Sequence, residues 1–401
     1  MSNIGEFLKS NGFETAERID REALVAELIS EMEMSLVRKR SSLPMILSYI
    51  GQDIVADVRR RIIVLDAGGT NFRSAIVDGR NGIEACRRLQ MPGAGGREVS
   101  SEEFFATLAE EVERLRPLSN FERIGFCFSY SVESTPEHDA CLKDWDKGIR
   151  APGVVGKYIG QELVARTGGS VVLVNDTVTT LLAARAVSSG HDYGSYVGFV
   201  LGTGFNVAYA ERSLDGMVIN SEVGSFDKVP RSRFDLAMDA KQADTGRAPL
   251  EKMISGAYLG PLGYEVLSVA AREGLLGGAD ADFILARDSL SSVEFDRLVS
   301  TASSPQVREL GLAVYERAAS LAGIALAAFM IRSAESVFDV RPIAVNADGS
   351  TYYRTNAISF EAKIRGVLDE LLRRHRGLNY EILPEIPDSP MLGAALAAQD
   401  L

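Results

Sequence analysis

The sequence predicts a mixed α/β fold of two lobes facing a cleft, and three observations carry that expectation. Short apolar runs of strand character alternate with amphipathic helical stretches, the pattern of a largely parallel sheet covered by helices. A strand, a glycine turn and a returning strand occur once in each half, over residues 62–77 and again over 197–209. The apolar runs also end in polar tips, at Asp66, Ser129, Asn175, Asp176 and Thr203. Open α/β sheets gather their ligands outside such strand ends.

Residues 21–39 place Leu24, Leu28, Met32 and Leu36 at helical spacing, and Arg38, Lys39 and Arg40 suit that helix's C-terminal end. Ser41 to Met45 reads as a turn or extended piece, and residues 51–61 as a polar connection into the first strand. Residues 93–97 read as a loop. A helix starts at Ser101, with Glu102 and Glu103 in its first turn, and runs through Phe104, Leu108 and Leu115 to Pro117. The compact strand 124–128 ends in Ser129-Tyr130-Ser131, the polar stretch 133–146 reads as a loop, and 154–166 as a helix. A buried strand at 171–174 leads into Asn175-Asp176-Thr177 and a helix over 178–187. Beyond about Pro230 the pattern is mainly helical, broken by brief strands at 344–345 and 382–383 and closed by a helix over 392–398.

The 401 residues suffice for two domains or one large bilobed unit, and 46% hydrophobic with 24% charged residues is the balance of a soluble globular protein. A net charge of −12 argues against nucleic-acid and anionic-membrane partners. It does not argue against a nucleotide, because phosphate sites are built locally from backbone dipoles and a metal. Cys86, Cys127 and Cys141 fit neither a disulfide framework nor a metal cluster by spacing. His138, His191 and His375 lie in polar stretches and are expected at the surface. There is no secretory-signal pattern, and no uninterrupted apolar run reaches bilayer-spanning length. The longest candidate, 321–331, is expected to be a buried helix. Together these features predict a soluble cytoplasmic protein.

The first glycine turn carries the clearest chemistry. Gly68 and Gly69 permit positive φ and leave room for a phosphate to reach backbone N–H groups. Asp66, at the strand end, is placed to hold a hydrated metal ion beside those phosphates. Asn175 and Asp176 follow four apolar residues and open a helix. On the residues alone, Asp176 is equally a helix cap and a partly desolvated catalytic base, and the two roles coexist if Asn175 or Thr177 supplies the cap.

With these motifs in order, the chain resembles the hexokinase family over nearly its whole length. Residues 65–73, Leu-Asp-Ala-Gly-Gly-Thr-Asn-Phe-Arg, are similar to that family's first phosphate motif. Phe128-Ser129-Tyr130-Ser131 and Trp145-Asp146-Lys147-Gly148 sit where its sugar-binding segments do. Val174-Asn175-Asp176-Thr177 resembles the stretch holding the catalytic aspartate, and residues 198–211 the second phosphate motif. Asn220-Ser221-Glu222-Val223-Gly224 and Leu250-Glu251-Lys252-Met253 resemble the segments that supply sugar-binding glutamates. Asp348-Gly349-Ser350 resembles the adenine-side turn, and Gly393-Ala394-Ala395-Leu396 the start of the last helix.

The resemblance implies an actin-like ATPase (ribonuclease H-like) fold, α/β, with two lobes around a central cleft. The small lobe is expected over 61–176, with a C-terminal helix at 391–401 returning to it, and the large lobe over 1–60 and 177–390. The implied reaction moves the γ-phosphoryl of Mg-ATP to the 6-hydroxyl of a hexose, first of all glucose, at the start of glycolysis. A kinase for another sugar, such as an amino sugar, and a catalytically inactive sugar-binding regulator are the alternatives. Asp176 is the implied general base and Lys147 the charge that neutralises the moving phosphoryl. Ser129, Asp146, Lys147, Asn175, Asp176, Asn206, Glu222 and Glu251 are the implied sugar ligands, their carboxylates and amides matching hydroxyls that both give and take hydrogen bonds. Gly68, Gly69, Thr70, Asn71, Arg73, Gly202, Thr203, Gly204, Asp348, Gly349 and Ser350 face the nucleotide, and Asp66 holds Mg²⁺ through water. Exclusion of competing water implies that the lobes close on the sugar. The chain departs from the family at Asp146, where threonine is usual, and at Ser131, where proline is usual. It departs again at Asp388-Ser389-Pro390-Met391, which replaces a glycine-rich stretch on the adenine side.

Overall fold

The computed structural model describes residues 3–145, 148–334, 341–374 and 378–400. Its strands are β1 (Ile46–Gly51), β2 (Arg61–Gly68), β3 (Asn71–Asp78), β4 (Ile83–Gln90), β5 (Arg123–Phe128), β6 (Ser131–Ser134), β7 (Ala140–Asp144), β8 (Ser170–Val174), β9 (Ser195–Leu201), β10 (Phe205–Glu211), β11 (Met217–Asn220), β12 (Ile343–Asp348) and β13 (Tyr380–Ile382). One sheet has the order β4-β3-β2-β5-β8 and the other β1-β11-β10-β9-β12-β13. The two repeat one plan: an antiparallel meander of three strands, β2–β4 or β9–β11, followed by two parallel strands. The second sheet adds β1 antiparallel to β11 at its edge. The repeated unit expected from the two glycine turns is therefore present. The expected largely parallel sheet is not, because a strand returning through a tight turn is antiparallel by construction.

Two helices lie between the sheets. Asp176–Val187 packs on β9, β10 and β12, Ser389–Ala397 packs on β2, β5 and β8, and the two helices pack on each other. Their contact is backbone to backbone. A Cβ on Gly393 would stand 1.9 Å from the Thr179 carbonyl oxygen, and one on Gly198 in β9 would stand 2.5 Å from that of Thr177. Any side chain at either position would push the Asp176 helix out of place.

The larger sheet is backed by a helical layer centred on Pro305–Ser333. This helix packs on helices Arg21–Leu36, Leu259–Arg272 and Phe360–Leu372 and on β10. Residues 321–330 within it are buried, as expected. The helix is longer than the apolar run suggested, and by length and composition alone it could cross a membrane, but 89% of its most apolar window is covered by this layer.

Several elements differ from the sequence expectation. The stretch read as a loop at 133–146 contains β7 and part of β6, which pair with each other, β7 also bridging to Tyr158, and neither joins one of the large sheets. The 154–166 helix begins only at Ile159. Helix Arg21–Leu36 ends before the basic run, since Arg38 already sits at φ 56°. The Asn3–Ser10 helix and strands β1, β4 and β11 were not foreseen: β4 is exposed on both faces, and β1 carries a register shift and a positive φ at Tyr49. His191 is exposed as expected, His138 is half-buried instead, and burial pushes its imidazole pKa down. His375 lies outside the described residues.

Arg317 on the long helix makes a two-pronged ion pair with Asp235 of helix Arg233–Asp239, at 2.6 and 2.9 Å, with both side chains buried. Burial alone would raise the Asp235 pKa, but Arg317 and Ser232 overcome it and hold the carboxyl below its ordinary range. A carboxyl depressed in this way adds stability above its unfolded pKa and loses it as pH falls through the folded value. Asp235→Asn is expected to cost about 3–5 kcal/mol at pH 7, because it strands a buried guanidinium. In urea unfolding the deficit should shrink below pH 4, where the wild-type carboxyl also begins to lose its charge.

Candidate active site

Asp66 and Arg73 stand directly opposite each other on β2 and β3, so their side chains share one face of the sheet. Arg73 donates to Asp66 Oδ2 through Nε at 2.7 Å and lies 2.6 Å from it through Nη2. Its remaining arm, Nη1, donates to Asp388 Oδ1 at 2.6 Å. Asp388 is the N-cap residue of the last helix, so one guanidinium joins the first turn to the segment that departs from the family pattern. Burial pushes the Asp66 carboxyl up. Arg73 opposes that rise, and the charge of Asp176 adds to it. Between Asp66 and Arg73, Gly68 and Gly69 are half-buried while Thr70 and Asn71 are exposed at the tip.

Asn175, not Asp176, caps the helix that follows β8. Its side-chain oxygen accepts the Thr177 N–H at 2.8 Å. Asp176 is thereby left as the first helical residue, half-buried, with Thr177 Oγ1 at 3.3 Å from its carboxylate. The hydroxyls of Thr179 and Thr180 donate to its carbonyl, at 2.7 and 2.9 Å, and pin the turn from below. Of the two readings open from the residues, cap and base, the structure gives the cap to Asn175.

The second turn, Gly202-Thr203-Gly204, joins β9 to β10, with Thr203 exposed at its tip. The Gly202 carbonyl accepts from the Gly256 N–H and from Thr351 Oγ1, both at 2.8 Å, and the Thr203 carbonyl accepts from the Ala257 N–H at 3.0 Å. Asp348, Gly349 and Ser350 follow β12 beside it, where a Cβ on Gly349 would stand 2.6 Å from the Gly202 nitrogen. Burial pushes the Asp348 carboxyl up, and Asp176 contributes to that shift too. Asp66 and Asp348, on different sheets, thus both feel Asp176. A buried excess of negative charge of this kind fits a hydrated divalent cation. Among the described residues no group of three or more His, Cys, Asp or Glu side chains is placed to hold a metal ion.

Asn206 and Glu222 form a second polar group with Asn220, a residue quoted in the sequence motif but given no role there. Asn206 Nδ2 donates to Asn220 Oδ1 at 2.7 Å and to Glu222 Oε1 at 3.3 Å, and Asn220 Nδ2 donates to Glu222 Oε1 at 2.8 Å. Glu222 sits at φ 52°, turning its side chain back toward this pair. Glu251 Oε2 accepts the Phe205 N–H at 2.9 Å, in a space a Cβ on Gly204 would enter to 2.8 Å. Ser129 is buried at the end of β5 beside the first turn, with its N–H donating to the Ala67 carbonyl at 3.0 Å. Asp146 and Lys147 lie outside the described residues.

Two family models, both described as hexokinase, match residues 13–186 and 196–399. The chain belongs to the hexokinase family. It is 30% identical to Hexokinase-1 of Schizosaccharomyces pombe over 306 residues, which is 67% of this chain and 62% of that one. It is 28% identical to a glucokinase of Aspergillus niger over 304 residues, 63% of this chain and 61% of the relative. The chain therefore spans about three fifths of the length of these curated relatives. The hexokinase of Schistosoma mansoni, solved in complex with glucose, superposes with a TM-score of 0.76 at 25% identity, covering 99% of this chain and 98% of that one. A hexokinase of the ROK group from Thermus thermophilus, at 20% identity and a TM-score of 0.57, shares the fold. The actin-like, two-lobed architecture expected from the sequence is the one found.

Within this hexokinase-family fold, Asn220 sets the direction in which Glu222 points. Asn220→Ala removes a hydrogen bond to a charged group and leaves Asn206 Nδ2 without its nearer acceptor. On the reading that this group takes a hexose, hexose affinity is expected to fall about tenfold, with nucleotide affinity changed by less than about twofold. Titration calorimetry of each ligand separately checks both halves.

Proposed function

We propose that the protein transfers the γ-phosphoryl group of ATP to the 6-hydroxyl of a hexose, with glucose as the first substrate to test. The observation that carries this reading is the division of labour at the start of the Asp176 helix. Asn175 satisfies the helix N–H, and Asp176 keeps its carboxylate for a hydroxyl proton. The glucose-bound Schistosoma relative and the aligned glucokinase support the choice of hexose.

In this reading Asp176 accepts the 6-hydroxyl proton as the oxygen attacks phosphorus. Glu222, Glu251, Asn206 and Asn175 orient the sugar, with Ser129 contributing from the small-lobe side. N–H groups of the first turn, at Gly68–Asn71, and of Thr203 and Gly204 in the second face the phosphates, the Gly202 N–H being held by the Gly204 carbonyl at 3.0 Å, and Arg73 adds fixed positive charge beside them. Asp348, Gly349 and Ser350 line the adenine side. Lys147 and Asp146 take the phosphoryl-neutralising and sugar-selecting roles that the family resemblance implies. A hydrated Mg²⁺ next to Asp66 would supply charge neutralisation on the β- and γ-phosphates. The acidic net charge and the three free cysteines support a cytoplasmic setting, where the product would enter glycolysis.

Coupled ADP release across a panel of hexoses and amino sugars tests the reading. Glucose or a close epimer should give the largest kcat/KM, and Asp176→Asn should lower kcat by about 10²–10⁴-fold with little change in sugar affinity. Preference for an amino sugar would move the substrate assignment. Sugar binding without ADP release from any hexose would identify a regulatory homologue instead.

A further inference from the structure

A glycine turn does not aim its own N–H groups, because its peptides rotate freely unless they are held from outside. Gly69 sits at φ 58°, and a Cβ built there would meet nothing within 4 Å, so packing does not hold it. The Tyr130 hydroxyl does: it donates to the Gly69 carbonyl at 2.6 Å. A peptide unit is planar and trans, so fixing the Gly69 carbonyl fixes the Thr70 N–H in the opposite direction. The Thr70 carbonyl is held in turn by the Met91 N–H at 2.9 Å.

The Tyr130 ring packs in turn against aromatic neighbours. It is buried, 4.8 Å from Phe128 and edge-on to Trp145 at 4.9 Å between centroids. Trp145 is tied down by its indole N–H, which donates to the Ala151 carbonyl at 2.7 Å. In the chain, Tyr130 directly follows Ser129, and Trp145 directly precedes Asp146 and Lys147. Among the described residues, the side chain that holds the Gly69 carbonyl thus belongs to the segment assigned to the sugar.

We propose that Tyr130 is a positioning residue that couples the two substrates. A sugar ordering the Ser129 and Trp145 segments stiffens the Tyr130 anchor, and the anchored turn then presents the Thr70 N–H to the nucleotide. This rests on the hexokinase reading and adds to it the route by which sugar strengthens nucleotide binding. The coupling is reciprocal: nucleotide tightens sugar by the same factor.

Tyr130→Phe keeps the ring stack and removes only the hydroxyl. Trp145 is the chain's single tryptophan, so its fluorescence reports sugar binding at this place. The dissociation constant of the β,γ-imido analogue of ATP, with Mg²⁺, is measured by calorimetry with and without saturating glucose in both proteins. In the wild type glucose should tighten the analogue by about fivefold or more. In Tyr130→Phe that tightening should fall below about twofold, while glucose alone binds within about twofold of wild type and the melting temperature moves by only a few degrees. Equal coupling in the two proteins, or none in a wild type that binds both ligands, overturns the proposal. A wild type that shows neither a glucose-dependent Trp145 signal nor hexose-dependent ADP release overturns the hexokinase reading itself.

Discussion

The closeness of two helices sets everything at this site. The Asp176 helix touches the larger sheet and the last helix at backbone distance, and the last helix touches the smaller sheet. Because protein interiors are close-packed, a single methyl group at Gly393 or Gly198 could not be absorbed locally. The carboxylate at the head of the Asp176 helix is therefore fixed against both sheets at once, and it is felt by Asp66 on one and Asp348 on the other. A catalytic group mounted on a loop would not have this double reference.

The same closeness creates an electrostatic problem. Burial pushes the Asp66 and Asp348 carboxyls up, and the charge of Asp176 adds to both shifts. Arg73 offsets part of this. Its fork spans Asp66 and Asp388, and a lysine with a single ammonium could not serve both carboxylates in the same geometry. The rest of the excess is the kind of field that draws a divalent cation and, with it, a polyphosphate. The segment Asp388-Ser389-Pro390, a departure from the family pattern in sequence, thus has a place in the structure as the second anchor of Arg73.

Much of this was legible in the residues, and the boundary is physical. The two glycine turns, the helix start at Asn175–Asp176 and the repeated half were readable because their signal is local: glycine, acid and apolar run lie within ten residues of each other. What escaped depends on register between distant strands. Asn220 faces Ala208 across β10 and β11, next to Asn206 only because those strands pair in that register. Asp388 meets Arg73 across 315 positions of chain. The β4 and β6 strands escaped for a different reason: they bury little, so they carry little of the alternation that marks a strand, while β7 buries only Ala140 and Leu142 and is too short to show it.

The two halves solve one problem in the same way. A glycine turn that receives phosphate must leave its N–H groups free, so its carbonyls have to be held by something else. In the first turn the holder is Tyr130, one residue beyond Ser129. In the second the Gly202 carbonyl is held by the Gly256 N–H and by Thr351 Oγ1, and the Thr203 carbonyl by the Ala257 N–H, the two N–H groups following the short helix that begins at Glu251. In each half, a group that restrains the glycine turn thus lies within six residues downstream of a residue assigned to the sugar. A sugar that draws Ser129 and Glu251 toward itself therefore loads both turns together. Substrate order would then be built into the backbone, through two short chain segments that each carry a sugar contact at one end and a turn carbonyl at the other.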